Sequence, residues 1–127
     1  MGAMGVGIFD DDVACDACAA MLDHFRAGLS LKAATDAVLE DLADFLDDEE
    51  DAPVVVLALA SVQWETGRLD ERIKTRALKI IADGVDFRWQ DSEFMEQRRA
   101  VLAELGAKLN TPPPPALPLD KLPDAGA

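Results

Sequence analysis

The chain has 127 residues, with 25 acidic side chains against 12 basic ones, a formal net charge of −13 and a pI near 4.2. That length fits one domain, burying roughly two-thirds of the surface its unfolded form exposes, and a hydrophobic content of 50% is that of a globular rather than a disordered chain. So negative a surface repels nucleic-acid phosphates and anionic lipid, which disfavours nucleic acid and membrane and leaves a basic protein as the favoured partner.

In chain order, residues 1–9 (Met1-Gly2-Ala3-Met4-Gly5-Val6-Gly7-Ile8-Phe9) are glycine-punctuated and apolar between the glycines, which predicts an irregular arm. Met1 to Asp12 holds neither the basic region nor the long apolar stretch of a secretory signal, and Val6 stands where a myristoylation motif wants Ser or Thr. The apolar run Val54 to Val62 is far below the roughly 20 residues of a membrane span. The expectation is a cytoplasmic protein.

Asp10, Asp11 and Asp12 supply capping acids for a first helix to about Ala27, closed by Gly28. Its inward stripe is expected to be Val13, Ala17, Ala20, Met21 and His24, with Cys18, Leu22 and Phe25 beside it. Ser30 caps a second helix with Leu31, Ala34, Val38, Leu42 and Phe45 inward, Leu39 and Leu46 widening the stripe, and Asp36, Glu40, Asp41, Asp44 and Asp47 on the other side. The acid run Asp47-Asp48-Glu49-Glu50-Asp51 opposes the dipole at a helix end, yet suits the start of a third helix with Pro53 in its first turn.

That third helix, Pro53 to Thr66, is apolar almost all round and belongs in the centre of the fold. Val54-Val55-Val56 could also read as a buried strand, but the run is long for a strand and has no visible partner. Gly67 ends it, and Asp70 caps a fourth helix closed by Gly84, with Ile73, Ala77, Ile80 and Ile81 inward and Lys74, Arg76 and Lys79 outward or sideways. Helices three and four form an antiparallel hairpin resembling one tetratricopeptide-like pair, without a second copy in the sequence. A connector over 86–91 carries Phe87 and Trp89, and Ser92 caps a fifth helix to about Asn110 with Phe94, Val101, Leu102, Leu105 and Leu109 inward. The fold class is therefore all-α: a single-domain bundle of about five helices over residues 1–110. Residues 111–127, with Pro112 to Pro115, Pro118 and Pro123, are expected to be a disordered proline-rich tail.

The candidate chemistry is sparse. Cys15-x-x-Cys18 lies inside a helix with no strand before it, unlike a redox pair, and His24 is the lone histidine, too few ligands for a zinc site. Gly2, Gly5 and Gly7 lack the spacing and the Lys-Ser/Thr of a nucleotide loop. Asp10–Asp12 and Asp47–Asp51 lack the alternation of a calcium loop. No nucleophile stands in a convincing arrangement with His24. The sequence predicts no catalytic residue, no cofactor and no metal site.

The opening Met1 to Asp12, the stretches Gly28 to Thr35 and Asp47 to Pro53, and above all Leu57-Ala58-Leu59-Ala60, Gln63-Trp64, Gly67-Arg68-Leu69, Lys74 to Ile81 and Trp89, resemble the bacterial family called domain of unknown function 4259. Its signature opens M-G-x-W-G-x-G-x-F and continues with two aspartates; Met4 here replaces the tryptophan, which implies looser docking of the arm. The resemblance covers roughly residues 1–110 and brings no catalytic residues. Longer members continue through a proline-rich linker into a small domain similar to one in toxin-immunity proteins, which implies an interaction or immunity role.

The expected function is thus a non-catalytic acidic protein-interaction module, of the immunity type that binds a basic partner. Its surface would be Asp36, Glu40, Asp44, Asp47, Asp48, Glu49, Glu50 and Asp51. The alternatives are a metal-dependent enzyme or accessory using Asp10–Asp12 and His24, and a homo-oligomeric structural protein.

Overall fold

The computed structural model describes residues 12–84 and 95–122. Among these the chain is all-helical: α1 Asp12–Arg26, α2 Leu31–Asp41, α3 Ala43–Leu46, α4 Asp51–Glu65, α5 Glu71–Asp83 and α6 Met95–Leu109, followed by a 3-10 turn at Leu119–Lys121. The arm, Asp10 and Asp11, the 86–91 connector, Ser92 and Phe94 lie outside the described residues.

A helix with no polar face must be surrounded, and α4 is: every residue from Pro53 to Ala60 is buried, as are Val62 and Gln63. It contacts α1, α3, α5 and α6, with α2 packed on α1. The valine triplet is helical because the apolar run from Ala52 to Ala60 is continuous over more than two turns and the helix start is capped: the Asp48 carboxylate accepts the backbone N–H groups of Glu50 (2.8 Å) and Asp51 (3.0 Å). The side chain of Ser30 accepts the Ala33 N–H at the start of α2, and Asp70 accepts that of Arg72 at the start of α5. Gly84, left-handed at φ 70°, ends α5.

Three expectations change. The second helix does not run through Phe45; it breaks at Leu42 (φ −105°, ψ 17°) and restarts as the single turn α3. Glu40, Asp41 and Asp44 load this end with negative charge that opposes the dipole of a continuing helix. The break leaves Leu42 buried, with Phe45 and Leu46 half-buried against the core. On α1 the buried stripe is Ala14, Ala17, Met21, Leu22 and Phe25, turned by about one position from the expected one; Val13, Ala20 and His24 ride on its shoulder. The larger apolar surfaces of Leu22 and Phe25 take the interior.

The third change concerns the expected free tail, corrected for residues 111–122, which lie against the bundle. The Trp64 indole N–H donates to the Thr111 carbonyl (3.3 Å) and the Leu117 N–H to the Thr66 carbonyl (3.0 Å). Arg68 donates to the Leu117 carbonyl, and Arg26 to the Leu122 carbonyl at 3.4 Å. Leu117 is half-buried and Leu122 buried. Prolines bar a helix but not docking, because an extended chain still offers carbonyls and alternate side chains.

Candidate functional site

The eight acidic residues singled out by sequence separate into two kinds once their partners are known. Asp36 is tied to the Lys32 ammonium at 2.8 Å and the Arg72 guanidinium at 2.7 Å. Arg72 also grips Asp70, through Nε at 3.1 Å and Nη2 at 2.9 Å. Behind this pair stands Gln63, fully buried on α4. Its amide nitrogen donates to the Thr35 hydroxyl (3.0 Å) and the Met21 sulfur (3.3 Å), and its oxygen accepts the Asp70 N–H (3.0 Å). One polar chain, from Thr35 through Gln63, Asp70 and Arg72 to Asp36, therefore joins α2, α4 and α5, with α1 reached through Met21. Sequence reasoning did not find it, although one signal was present: Gln63 is the lone amide in a helix that is mostly apolar.

Hydrogen bonds from Lys32 and Arg72 hold the Asp36 carboxyl below the usual carboxylate range. Those from Arg72 do the same for Asp70, against a partial opposing effect of burial. A carboxyl whose folded-state pKa is depressed adds stability that is present above its unfolded value, about 4, and lost as pH falls through the folded value. Melting temperature is accordingly expected to drop steeply below about pH 4. The variant Arg72→Met should show a shallower acid dependence when melts are followed by circular dichroism across that window.

Asp48 is likewise structural, through its cap on α4, and Asp51 is half-buried in the first turn. The remaining five, Glu40, Asp44, Asp47, Glu49 and Glu50, are exposed and hold no ion pair among the described residues. They follow one another from the last turn of α2, through α3, to the turn before α4. Beside Glu49 opens a groove of about 350 Å³ between the start of α4 and the end of α5, floored by Pro53, Val56 and Ile80 and edged by Arg76 and Asp83.

The other candidates settle into structural roles. His24 Nε2 meets the Asp41 carboxylate at 2.6 Å, clipping the end of α1 to the end of α2. Cys15 and Cys18 are not joined in a disulfide, and both are half-buried. Burial, then the neighbouring Cys15, pushes the Cys18 thiol up, partly offset by Arg26, so its reactive thiolate is suppressed. Among the described residues no three His, Cys, Asp or Glu side chains converge as a metal site would need; Asp10 and Asp11 fall outside that set. No described helix is long and apolar enough to cross a membrane. Compared with protein-family models, curated proteins and solved structures, the chain finds no match.

Proposed function

We propose that this chain is a cytoplasmic, non-catalytic acidic module that binds a basic protein, in the manner of an immunity protein neutralising a toxin. We further propose that it is a bacterial member of domain of unknown function 4259. The observation that carries the binding role is the stretch Glu40, Asp44, Asp47, Glu49 and Glu50, contiguous and unneutralised among the described residues, beside a fold that engages Asp36, Asp41, Asp48, Glu65, Asp70 and Asp83 in ion pairs or caps. Glu40 and Asp44 crowd negative charge on either side of the break at Leu42, and Asp47 opposes the helix dipole, so these three charges repel one another without stabilising the isolated chain, while Glu49 and Glu50 suit the start of α4. A basic partner would relieve that repulsion, and the surrounding negative potential would speed its approach. The groove beside Glu49 gives an apolar anchor of the partner somewhere to sit.

Affinity capture from the source organism's lysate tests this reading. At low salt a stoichiometric partner of basic composition is expected, and high salt should release it. No stoichiometric partner at low salt would overturn the proposal.

A further inference from the structure

The segment over residues 111–122 is held as a peptide ligand is held, by recognition of its backbone and two apolar side chains. Pro118, at φ −57° and ψ 151°, has the polyproline II conformation, and Leu122 ends the segment in an extended one. Both backbone groups of Leu117 are read: its N–H by the Thr66 carbonyl, its carbonyl by the Arg68 guanidinium. Arg68 is itself fixed, donating to the Thr66 carbonyl at 3.1 Å and lying 5.5 Å from the Phe25 ring centroid. At the other end Trp64 donates to Thr111. Between them the segment's backbone runs so close over Gly67 that a Cβ there would stand 2.5 Å from the Pro114 carbonyl oxygen and 2.6 Å from the Ala116 nitrogen.

We infer that the cleft formed by Trp64, Thr66, Gly67 and Arg68, with Phe25 and Arg26 of α1, is a docking groove for an extended proline-bearing segment of a partner protein, and that residues 111–122 occupy it in cis. The chemistry of the occupant is written in the cis segment: an extended proline-bearing stretch over residues 112–118 that carries Leu117, followed by a 3-10 turn that sets a second leucine, Leu122, five residues on. Guanidinium groups aimed at its carbonyls select an extended chain, whose carbonyls are not used up by helical bonding. Tethering gives the cis segment an effective concentration on the order of millimolar, so a partner competes only when the tether is loosened or its own segment binds better.

The test uses the full-length chain and a fluorescent peptide of the sequence of residues 111–122, with binding read by anisotropy. Two variants loosen the cis segment: Leu117→Ser with Leu122→Ser, and Pro113→Gly with Pro115→Gly. The second removes no core side chain and acts through the entropy of the freed segment. Either loosened chain is expected to bind the peptide at least about tenfold more tightly than the unmodified chain. Adding Gly67→Ala to a loosened chain should abolish that binding while helical circular dichroism is retained. Absence of peptide binding to a folded loosened chain would overturn the inference. So would binding that survives Gly67→Ala, since the peptide would then sit elsewhere.

Discussion

Replacing Gly67 by alanine will expel residues 111–122 from the bundle. Gly67 has φ 73°, which an alanine adopts at a cost of about 1 kcal/mol. The new methyl would also overlap backbone atoms of Pro114, Pro115 and Ala116, none of which can swing aside as a side chain could. The segment must lift, and Leu122 then loses a burial that contributes about 2 kcal/mol. The combined effect is about 3 kcal/mol and a fall in melting temperature of roughly 10 °C. The helices persist, because α4 and α5 keep their packing and caps. Trypsin offers a direct reading: cleavage after Lys121, in the 3-10 turn beside buried Leu122, should speed up in the variant. Unchanged cleavage and melting would mean that the segment does not press on Gly67.

The second large effect is expected at Gln63. In Gln63→Leu the shape of the core is roughly kept, but the Thr35 hydroxyl and the Asp70 N–H lose their partner inside the protein. Each orphaned buried group costs about 1–3 kcal/mol, so the variant should lose about 3 kcal/mol, measured by chemical denaturation. Adding Thr35→Val removes one orphan and should restore part of the loss, a coupling that a simple packing defect would not show. Strict additivity of the two substitutions would contradict the network. Because Asp70 also starts α5 and anchors Arg72, the loss is expected to weaken the Arg72–Asp36 contact between α5 and α2 as well.

The helices were legible because their signals are local. Ser30, Asp70 and Gly84 mark ends through their own backbone chemistry, and the unbroken apolar run from Val54 announces a central helix. The break at Leu42 was only half visible: the acids that discourage a continuing helix could be read, but the stripe of Leu42, Phe45 and Leu46 suggested continuity. The phase of α1 depended on which neighbour it meets, which periodicity leaves open by one position. The docking of residues 111–122 was invisible for a related reason. Proline content reports what a segment cannot form with itself and says nothing of a glycine and an arginine 49 residues away that receive it. In the acidic surface, the residue types were plain in the sequence. Their division into Asp36 and Asp48, which serve the fold, and the five exposed carboxylates appeared only with the positions of Lys32, Arg72 and the start of α4.

That division makes the binding role testable without disturbing the fold. A variant carrying Glu40→Gln, Asp44→Asn, Asp47→Asn, Glu49→Gln and Glu50→Gln leaves every ion pair and cap described above intact. The decisive measurement is affinity capture with this variant and the unmodified chain side by side, at low salt. The unmodified chain should retain a stoichiometric basic protein and the variant should lose it, with both chains melting at similar temperatures. Equal recovery of that protein by the two chains would contradict the role of the acidic surface.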